Sequence, residues 1–347
     1  MNNWYSPYTN CKLCPRRCGV NREEGQLGYC GELSSLRLGF AGIHRGEEPP
    51  ITGAGGSGTI FVSGCNLGCA FCQNYQLSSG KQISQGEGHR MARTVDTGEF
   101  AEICLALQER GAENINIVTG SHAAPALSQG IAAARKQGLC IPVLWNSSGY
   151  DGMETLEILR DFIDVYLPDL KTLDTSIAAR FFNAPDYPEH AAKAILKMME
   201  YRTLRFGPGR GTQGETMLSG VMVRHLVIPG HLEATRQVLR WFSENCNSKS
   251  RGESNKSRAL LSLMTQYTPV YIPDTEKKET TATIQTPGSV PDRYISQEEY
   301  ETVLSMLDDF DIDDGYCQEL VTGNEWLPDF NKPNPFSSQL SVPVWHW

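Results

Sequence analysis

The chain has 347 residues, of which 40% are hydrophobic and 20% are charged, and its formal net charge is −9. These values are ordinary for a soluble globular protein, and the length suits one large domain with additions or two domains. No apolar run reaches the roughly 20 residues that a membrane-spanning helix needs, so we predict no membrane partner. The acidic balance argues against a nucleic-acid partner, because phosphate backbones are bound by clustered Lys and Arg.

The first residues have neither a basic nor an apolar stretch of the kind found in signal peptides, which predicts a cytoplasmic protein. The sequence contains 11 cysteines. Without an export signal, we expect these cysteines to be metal ligands and reduced thiols rather than disulfides.

Four of the cysteines lie close together near the N-terminus. They are Cys11, Cys14, Cys18 and Cys30, among Gly and Pro residues that permit tight loops. A segment this small has little hydrophobic core of its own, and a bound metal would stabilise its fold. We predict an auxiliary iron–sulfur cluster or a zinc ion here, and the spacing does not decide between them.

A second group of cysteines follows a short apolar run at residues 59–62. Cys65, Cys69 and Cys72 are separated by three and two residues. A cluster that only moves electrons normally has four thiolate ligands, and a structural zinc ion also has four ligands. Three thiolates on one loop therefore predict a [4Fe–4S] cluster with one open iron, where another molecule binds.

After this loop the sequence alternates between strand and helix patterns. Strands are predicted at 115–119, 141–145, 163–167, 221–228 and 260–264, and helices at 100–110, 124–137, 154–162, 176–182, 189–201 and 233–244. Together with the apolar run at 59–62, this makes six β/α units, which are typical of a parallel sheet covered by helices. Ser296 begins a further helix with a capping signal. Two polar stretches, 247–258 and 275–288, are assigned no function.

The cysteine spacing, with Phe71 directly before the last cysteine, resembles the motif of the radical S-adenosylmethionine (SAM) superfamily. The resemblance implies that Cys65, Cys69 and Cys72 hold a [4Fe–4S] cluster whose free iron is chelated by SAM. Reductive cleavage of SAM then gives a 5′-deoxyadenosyl radical that abstracts a hydrogen atom from a substrate. An oxygen-sensitive protein and an electron donor of the flavodoxin or ferredoxin type are also implied.

The resemblance further implies an open (β/α)6 barrel, a partial relative of the TIM barrel. In full β/α barrels the active site lies at the C-terminal ends of the strands. We accordingly predict three regions: a cysteine-rich segment at 1–50, the barrel at 51–272, and a C-terminal extension at 273–347. The aromatic residues and prolines near the C-terminus are expected to pack across a hydrophobic surface and close one end of the barrel, with a partner-binding strap as the alternative.

Segments at the strand ends resemble the pyruvate formate-lyase activating enzyme group, and the closer likeness is to its PflX-like branch of iron–sulfur proteins. The segments are residues 146–149, 169–171 and 224–230. Gly120 stands where many family members carry a Gly-Gly-Glu-Pro segment that holds the SAM amino group, but the second Gly and the Glu are missing. The other implied contacts are Phe71 with the adenine side of SAM, Asn146 with the ribose, Lys171 and Arg224 with the carboxylate side, and Asp169 with Ser147 for a monovalent cation.

Alternation along an extended chain makes two predictions that need no resemblance. Asp169 and Lys171 share one face, so a carboxylate and an ammonium converge. Arg224 and His225 point to opposite faces, so at most one of them enters the barrel.

Two substrate classes fit the predicted radical chemistry: a glycyl-radical enzyme, and a small molecule or another peptide. The alternative from a different functional class is a non-catalytic iron–sulfur electron carrier or metal-binding protein. That alternative requires four protein ligands for each metal site.

Overall fold

A mostly parallel sheet organises the chain in a computed structural model, which describes residues 6–78, 91–210, 214–247, 257–270, 290–324 and 326–347. The strands are β1 Arg37–His44, β2 Ser57–Val62, β3 Arg93–Thr94, β4 Ile115–Val118, β5 Val143–Ser147, β6 Val165–Pro168, β7 Arg205–Pro208, β8 Glu215–Leu226, β9 Leu260–Met264, β10 Gly315–Cys317 and β11 Ser341–His346. The helices are α1 Pro49–Thr52, α2 Tyr75–Ser78, α3 Thr97–Glu109, α4 Ala124–Lys136, α5 Met153–Leu159, α6 Thr175–Phe182, α7 Tyr187–Tyr201, α8 Leu232–Cys246 and α9 Gln297–Asp309.

The order of the strands confirms the predicted fold class. The sheet runs β10-β9-β8-β6-β5-β4-β2-β1-β11, and the neighbours from β2 to β9 in this order are all parallel. These are the six strands of the predicted β/α units. Over the described residues the order has two ends, so the strands form an open (β/α)6 barrel rather than a closed ring.

The edges of the sheet contain strands that the periodicity did not predict. β1 is antiparallel to β2, and the C-terminal strand β11 is antiparallel to β1. The hairpin between β7 and the early residues of β8, before the fifth barrel strand, is a further pairing that was not predicted. β1 is rich in buried apolar residues, but its pairing with β2 and β11, like that of β7 with β8, is decided by contacts that a local pattern does not show. The boundary predicted near residue 272 and most of the two polar stretches lie outside the described residues.

Tight packing between helices explains one glycine inside α4. A Cβ atom at Gly130 would lie 2.4 Å from the ring of Phe100 in α3, so only a glycine permits this close approach. The side chain of Asp96 caps the start of α3 by accepting the Glu99 N–H at 2.8 Å. Within the described residues, no helix is both long and apolar enough to cross a bilayer.

Helix α9 begins at the predicted cap and is tied to the turn that follows β8. Ser296 and Glu299 form a capping box, and Glu299 also accepts the Gly230 N–H at 2.7 Å. Arg293 donates to the same carboxylate at 2.6 Å. The hydrogen bond from Arg293 is the main cause that lowers the pKa of Glu299 to about 2. The ionised carboxylate therefore holds α9 against the barrel.

Replacing Glu299 with Gln is expected to lower stability at neutral pH, because the charged contacts with Arg293 and the amides are weakened. A carboxyl whose pKa is depressed on folding contributes stability above its ordinary pKa and loses it as the pH falls through the folded value. The stability difference between wild type and variant should therefore shrink as the pH falls below the ordinary range for Glu. Urea unfolding at a series of pH values measures this difference. Glu298→Gln, on the same exposed turn, is the control, and a Glu299→Gln deficit that does not change with pH would contradict the prediction.

Candidate functional site

The loop that carries Cys65, Cys69 and Cys72 follows β2 directly, and we refer to residues 63–74 as the cysteine loop. Gly64 has a φ of +83°, and a Cβ atom there would lie 2.5 Å from the Glu32 side chain, so the loop requires glycine at its entrance. The Leu67 N–H donates to Cys65 Sγ at 3.3 Å, and the Ser78 hydroxyl donates to Cys72 Sγ at 3.2 Å. These two hydrogen bonds place donors beside sulfur atoms of the cysteine loop, where they can offset part of the negative charge of a metal-bound thiolate.

All three cysteines line one cavity of about 230 Å³ at the C-terminal ends of the barrel strands. Each of the later barrel strands contributes to its wall. The lining residues at these strand ends are Val118 and Thr119, Asn146 to Ser148, Asp169 and Lys171, Arg224 and Leu226, and Met264. The structure therefore brings together, around one space, every barrel residue selected in the sequence analysis except Gly120.

Asp169 and Lys171 form an ion pair on the cavity wall, as the alternation predicts. Their side chains are only 20% and 14% exposed, so this is not a surface pair. Burial alone lowers the pKa of Lys171, but the Asp169 carboxylate and the Cys69 thiol outweigh it and raise the pKa above its usual range. The ammonium therefore stays charged beside the cysteine loop.

Arg224 lines the cavity, but its guanidinium already has two carboxylate partners. Its Nη2 donates to Glu47 Oε2 at 2.7 Å and its Nε donates to Glu48 Oε1 at 3.0 Å. The two glutamates come from the turn between β1 and α1, and all three side chains are at most 11% exposed. The predicted contact with the SAM carboxylate would have to share this guanidinium with Glu47 and Glu48.

His225 points the other way, as predicted. Its Nδ1 lies 2.7 Å from the carbonyl oxygen of Leu170, and its Nε2 lies 3.0 Å from the Thr235 hydroxyl in α8. Burial lowers the pKa of His225 to about 4, so the ring is neutral and structural.

Asp169 lines the cavity, and so does Ser147, its predicted partner in a monovalent-cation site. The Ser147 hydroxyl donates to the buried carboxylate of Asp151, which also accepts the Ser121 hydroxyl at 2.7 Å and the Trp145 indole N–H at 3.3 Å. Burial raises the pKa of Asp151. Asp151 thus ties the ends of β4 and β5 together, while the neighbouring Ser148 hydroxyl is buried, lines the cavity and has no partner in the described part of the chain.

Gly120 is the one predicted contact that the structure places away from the cavity. A Cβ atom there would lie 2.7 Å from both Leu127 and the ring of Trp145, so the glycine allows close packing beneath the site. Its neighbour Thr119 lines the cavity with a φ of +62°, a left-handed conformation that is rare for a β-branched residue. His122 is also structural, with Nε2 2.7 Å from the Ser63 carbonyl oxygen and a pKa that burial lowers to about 3.

Phe71 is buried in an aromatic group that supports the cysteine loop. Its ring centroid lies 5.5 Å from Tyr267 and 5.9 Å from both Phe181 and Phe182. Because it also lines the cavity, it can offer a ring face to a ligand while it is held by its neighbours.

Three of the four N-terminal cysteines, Cys11, Cys14 and Cys30, are buried, whereas Cys18 is exposed. All 11 cysteines are free thiols. Over the described ranges, no group of three or more His, Cys, Asp and Glu side chains is arranged to hold a single metal ion. A cubane cluster places each thiolate on a different iron, so its ligands are arranged differently from those of one ion.

Residues from outside the strand ends also close the cavity. Trp326 and Phe336 of the C-terminal tail line it, in line with the expectation that the aromatic tail covers one end of the barrel, and His44 and Glu47, which the sequence analysis did not select, line it as well. The Phe336 ring lies 5.6 Å from Phe61 of β2 and 4.8 Å from His44.

Comparisons with known proteins place the chain in a family. The model of the Radical SAM superfamily matches residues 59–239, more than half of the chain. An uncharacterized protein of Methanocaldococcus jannaschii, MJ0674, is 27% identical over 309 residues, which cover 88% of this chain and 76% of the relative.

Among solved structures, the SuiB protein of Streptococcus suis bound to S-adenosylmethionine is 14% identical, with a TM-score of 0.45, over 74% of this chain and 48% of that one. The chain thus spans about half the length of SuiB. A domain of pyruvate-formate lyase-activating enzyme from Bacteroides vulgatus is 16% identical over 56% of this chain and 89% of that domain, with a TM-score of 0.32. On the match of the family model to the cysteine loop and to the strands around the cavity, the chain belongs to the radical SAM superfamily and is a SAM-dependent radical enzyme.

Proposed function

We propose that Cys65, Cys69 and Cys72 hold a [4Fe–4S] cluster, and that the enzyme reductively cleaves SAM at the open iron to abstract a hydrogen atom from its substrate. The observation that carries the proposal is the shared cavity. It brings the three thiols together with Asn146, Lys171 and the other polar side chains at the strand ends. When bound, the cluster supplies an electron and SAM supplies the 5′-deoxyadenosyl radical.

The chemistry of the site fits such a cluster. Burial raises the pKa of Cys69 and Cys72, so without a metal these thiols keep their protons. A metal that binds them displaces the protons and stabilises the thiolates. The Lys171 ammonium beside Cys69 and the donors to Cys65 and Cys72 then compensate the charge of the thiolates. Among the described residues, no cysteine other than these three lines the cavity. One iron of a cubane cluster would therefore have no cysteine ligand.

The polar residues of the wall are suited to orient SAM. Lys171 offers a cation, Asn146 offers an amide, and the unpartnered Ser148 hydroxyl offers a donor and an acceptor. Arg224 keeps its position through Glu47 and Glu48, so it adds a fixed positive charge that is largely compensated. Asp169 holds the Lys171 ammonium and thereby sets where a carboxylate can bind.

Aromatic side chains line the other side of the cavity. Phe61, Trp326 and Phe336 form this wall, and Gln73 at the end of the cysteine loop donates to the Gln266 carbonyl at 2.9 Å after β9. An apolar wall of this kind suits a reactive radical, since access of water promotes side reactions. We propose that the substrate reaches the radical along this aromatic wall.

The non-catalytic alternative needs a fourth protein ligand for the cluster. The cysteines outside the two groups do not line the cavity: Cys104 and Cys246 are buried in helices, and Cys140 and Cys317 are exposed. With membership of a radical enzyme family, this favours catalysis over electron carriage.

The proposal is tested by measuring 5′-deoxyadenosine after the protein is reconstituted anaerobically with iron, sulfide, SAM and a reductant of the flavodoxin type. We expect slow formation alone and faster formation when extract of the source cells supplies the substrate. Stimulation by the macromolecular fraction would point to a protein target such as a glycyl-radical enzyme, whereas stimulation by the filtrate would point to a metabolite. No 5′-deoxyadenosine in any sample, with the cluster present by its absorption, would overturn the proposal.

A further inference from the structure

The N-terminal cysteines lie in a segment that is folded by turns rather than by regular structure. The Cys11 N–H donates to the Val20 carbonyl at 3.1 Å, and the Gly19 N–H returns to the Cys11 carbonyl at 2.9 Å. Arg17 and Gly19 have φ values of +41° and +69°, which reverse the chain between Cys14 and Val20. These backbone conformations are rare for most residues, and the turns that contain them bury the thiols of Cys11 and Cys14.

A buried arginine beside these thiols lacks a carboxylate partner. Arg22 is only 1% exposed, and its guanidinium donates to the carbonyl oxygens of Glu32 at 3.0 Å, His122 at 2.6 Å and Leu33. It also approaches Cys11 Sγ at 3.8 Å. No Asp or Glu of the described residues lies within ion-pair distance of it, and the Glu32 carboxylate instead accepts the Ser63 hydroxyl at 2.6 Å and faces Arg37 at 3.7 Å.

Arg22 has the Tyr8 ring at 4.7 Å and feels the more distant Glu32 carboxylate, but it has no ion-pair partner, so an anion close to Cys11 would stabilise its buried charge further. A buried cation without a negative partner is strongly unfavourable. Cys30 is next to the same arginine, because a Cβ atom on Gly28 would lie 3.2 Å from Cys30 Sγ and 3.6 Å from Arg22 Cδ. A metal centre bound by several thiolates carries net negative charge and would supply the missing partner.

A second arginine of the segment reaches the barrel. Arg16 stands between Cys14 and Cys18 and donates to four carbonyl oxygens. The four acceptors belong to Asn66 at 3.0 Å, Leu67 at 3.0 Å, Phe182 at 3.0 Å and Asn183 at 2.6 Å. The guanidinium is sandwiched near the rings of Tyr29 and Tyr150, at 4.0 and 5.2 Å. It thus clamps the cysteine loop to the C-terminal end of α6, where a positive charge is favourable.

We propose that Cys11, Cys14, Cys18 and Cys30 bind a thiolate metal centre, a zinc ion or an iron–sulfur cluster, which holds Arg16 in place as a positioning residue for the cysteine loop of the barrel. As they stand, the described side chains of this segment do not form a group that could hold a metal ion, and Cys18 is exposed, so Cys18 must turn inward to complete the ligand set. The centre compensates Arg22 on one side and fixes the turn that carries Arg16 on the other. The existence of this centre does not rest on the proposed SAM chemistry.

The first experiment counts metal in a chain that keeps only the N-terminal site. With Cys65→Ala, Cys69→Ala and Cys72→Ala combined, protein produced with zinc or iron in the medium and purified anaerobically should hold about one zinc ion or about four iron atoms per chain. Elemental analysis and visible absorption distinguish the two metals. Adding Cys14→Ser and Cys30→Ser should remove this metal, whereas adding Cys140→Ser and Cys317→Ser at two exposed positions should not. Metal content that is the same in all three folded proteins would overturn the proposal.

If the triple alanine background does not fold, the count is made on the full chain with its barrel cysteines. Cys14→Ser with Cys30→Ser should then lose one centre relative to the Cys140→Ser, Cys317→Ser control. Equal metal content in these two proteins would contradict the N-terminal centre.

The second experiment tests the clamp with two adjacent arginines. Arg16→Gln should speed amide hydrogen exchange in residues 65–72 by about tenfold or more, which the loss of one charge-assisted hydrogen bond is enough to cause. Arg17→Gln is the matched control, because Arg17 makes an exposed pair with Glu154. Removing the N-terminal metal should give a similar increase that is not additive with Arg16→Gln, together with the same altered electron paramagnetic resonance signal of the barrel cluster. Unchanged exchange in Arg16→Gln, or additive effects, would refute the coupling.

Discussion

Replacing Cys69 with Ala is expected to lower 5′-deoxyadenosine formation by at least about a thousandfold, because the step then lacks the metal centre that supplies its electron. Cys69 lines the cavity beside Lys171 and is one of three thiols available to a cluster there. Two remaining thiolates would leave the cluster labile, so the iron content should fall with the activity. Both quantities are measured on anaerobically reconstituted protein, the first by chromatography of the nucleoside.

The matched control for this change is Cys140→Ala, which removes an exposed thiol at a turn before β5. We expect its iron content and activity to equal those of the wild type. Cys69 is partly exposed, so the alanine should leave the fold intact. A Cys69→Ala protein that retained wild-type nucleoside formation would show that the cluster is held elsewhere.

Replacing Arg224 with Met is expected to lower the free energy of unfolding by about 3–5 kcal/mol, the usual cost of removing one partner from a buried ion pair. The substitution would leave Glu47 and Glu48 without their shared cation in a part of the barrel from which water is largely excluded. Glu48 also accepts the Ser262 hydroxyl, so it cannot turn out to solvent without breaking a second contact. Urea unfolding of the protein without cluster measures the change.

A control for Arg224 is Arg160→Met, which breaks exposed pairs with Glu157 and Asp161 and should cost no more than about 1 kcal/mol. The double variant Arg224→Met, Glu48→Gln should be more stable than Arg224→Met alone, because it removes one of the two uncompensated charges. An Arg224→Met protein as stable as the Arg160→Met protein would mean that water reaches the two glutamates.

Local patterns carried the prediction of the fold and of the cysteine loop. The apolar run at 59–62 and the three closely spaced cysteines after it lie within a few residues of one another, so the strand and its loop can be recognised in the sequence alone. The alternation of strand and helix likewise depends on residues near each other, so the six barrel strands were predicted to within a few residues, apart from the longer start of β8. The opposite facing of Arg224 and His225 follows from the period of an extended chain and is seen in the structure.

Contacts between residues that are distant in sequence could not be predicted from local patterns. Gly120 packs on Leu127 and Trp145, and the Trp145 ring that fills the space belongs to the next strand. Ser147 lines the cavity with Asp169, but its hydroxyl donates to the buried Asp151. Glu47 is drawn into the barrel by Arg224, which is 177 residues away.

The sequence by itself determined the family motif, the parallel β/α order and the presence of two groups of cysteines, since each of these depends on short spacing or short period. Only the tertiary structure decided which polar groups share a cavity, that Arg16 joins the N-terminal cysteines to the cysteine loop, and which residues of the aromatic tail reach the wall. Such contacts form when the strands of an open barrel bring their ends together. The partner of a buried charge then depends on which groups are buried beside it in the folded protein. The residues next to it in the sequence do not determine this.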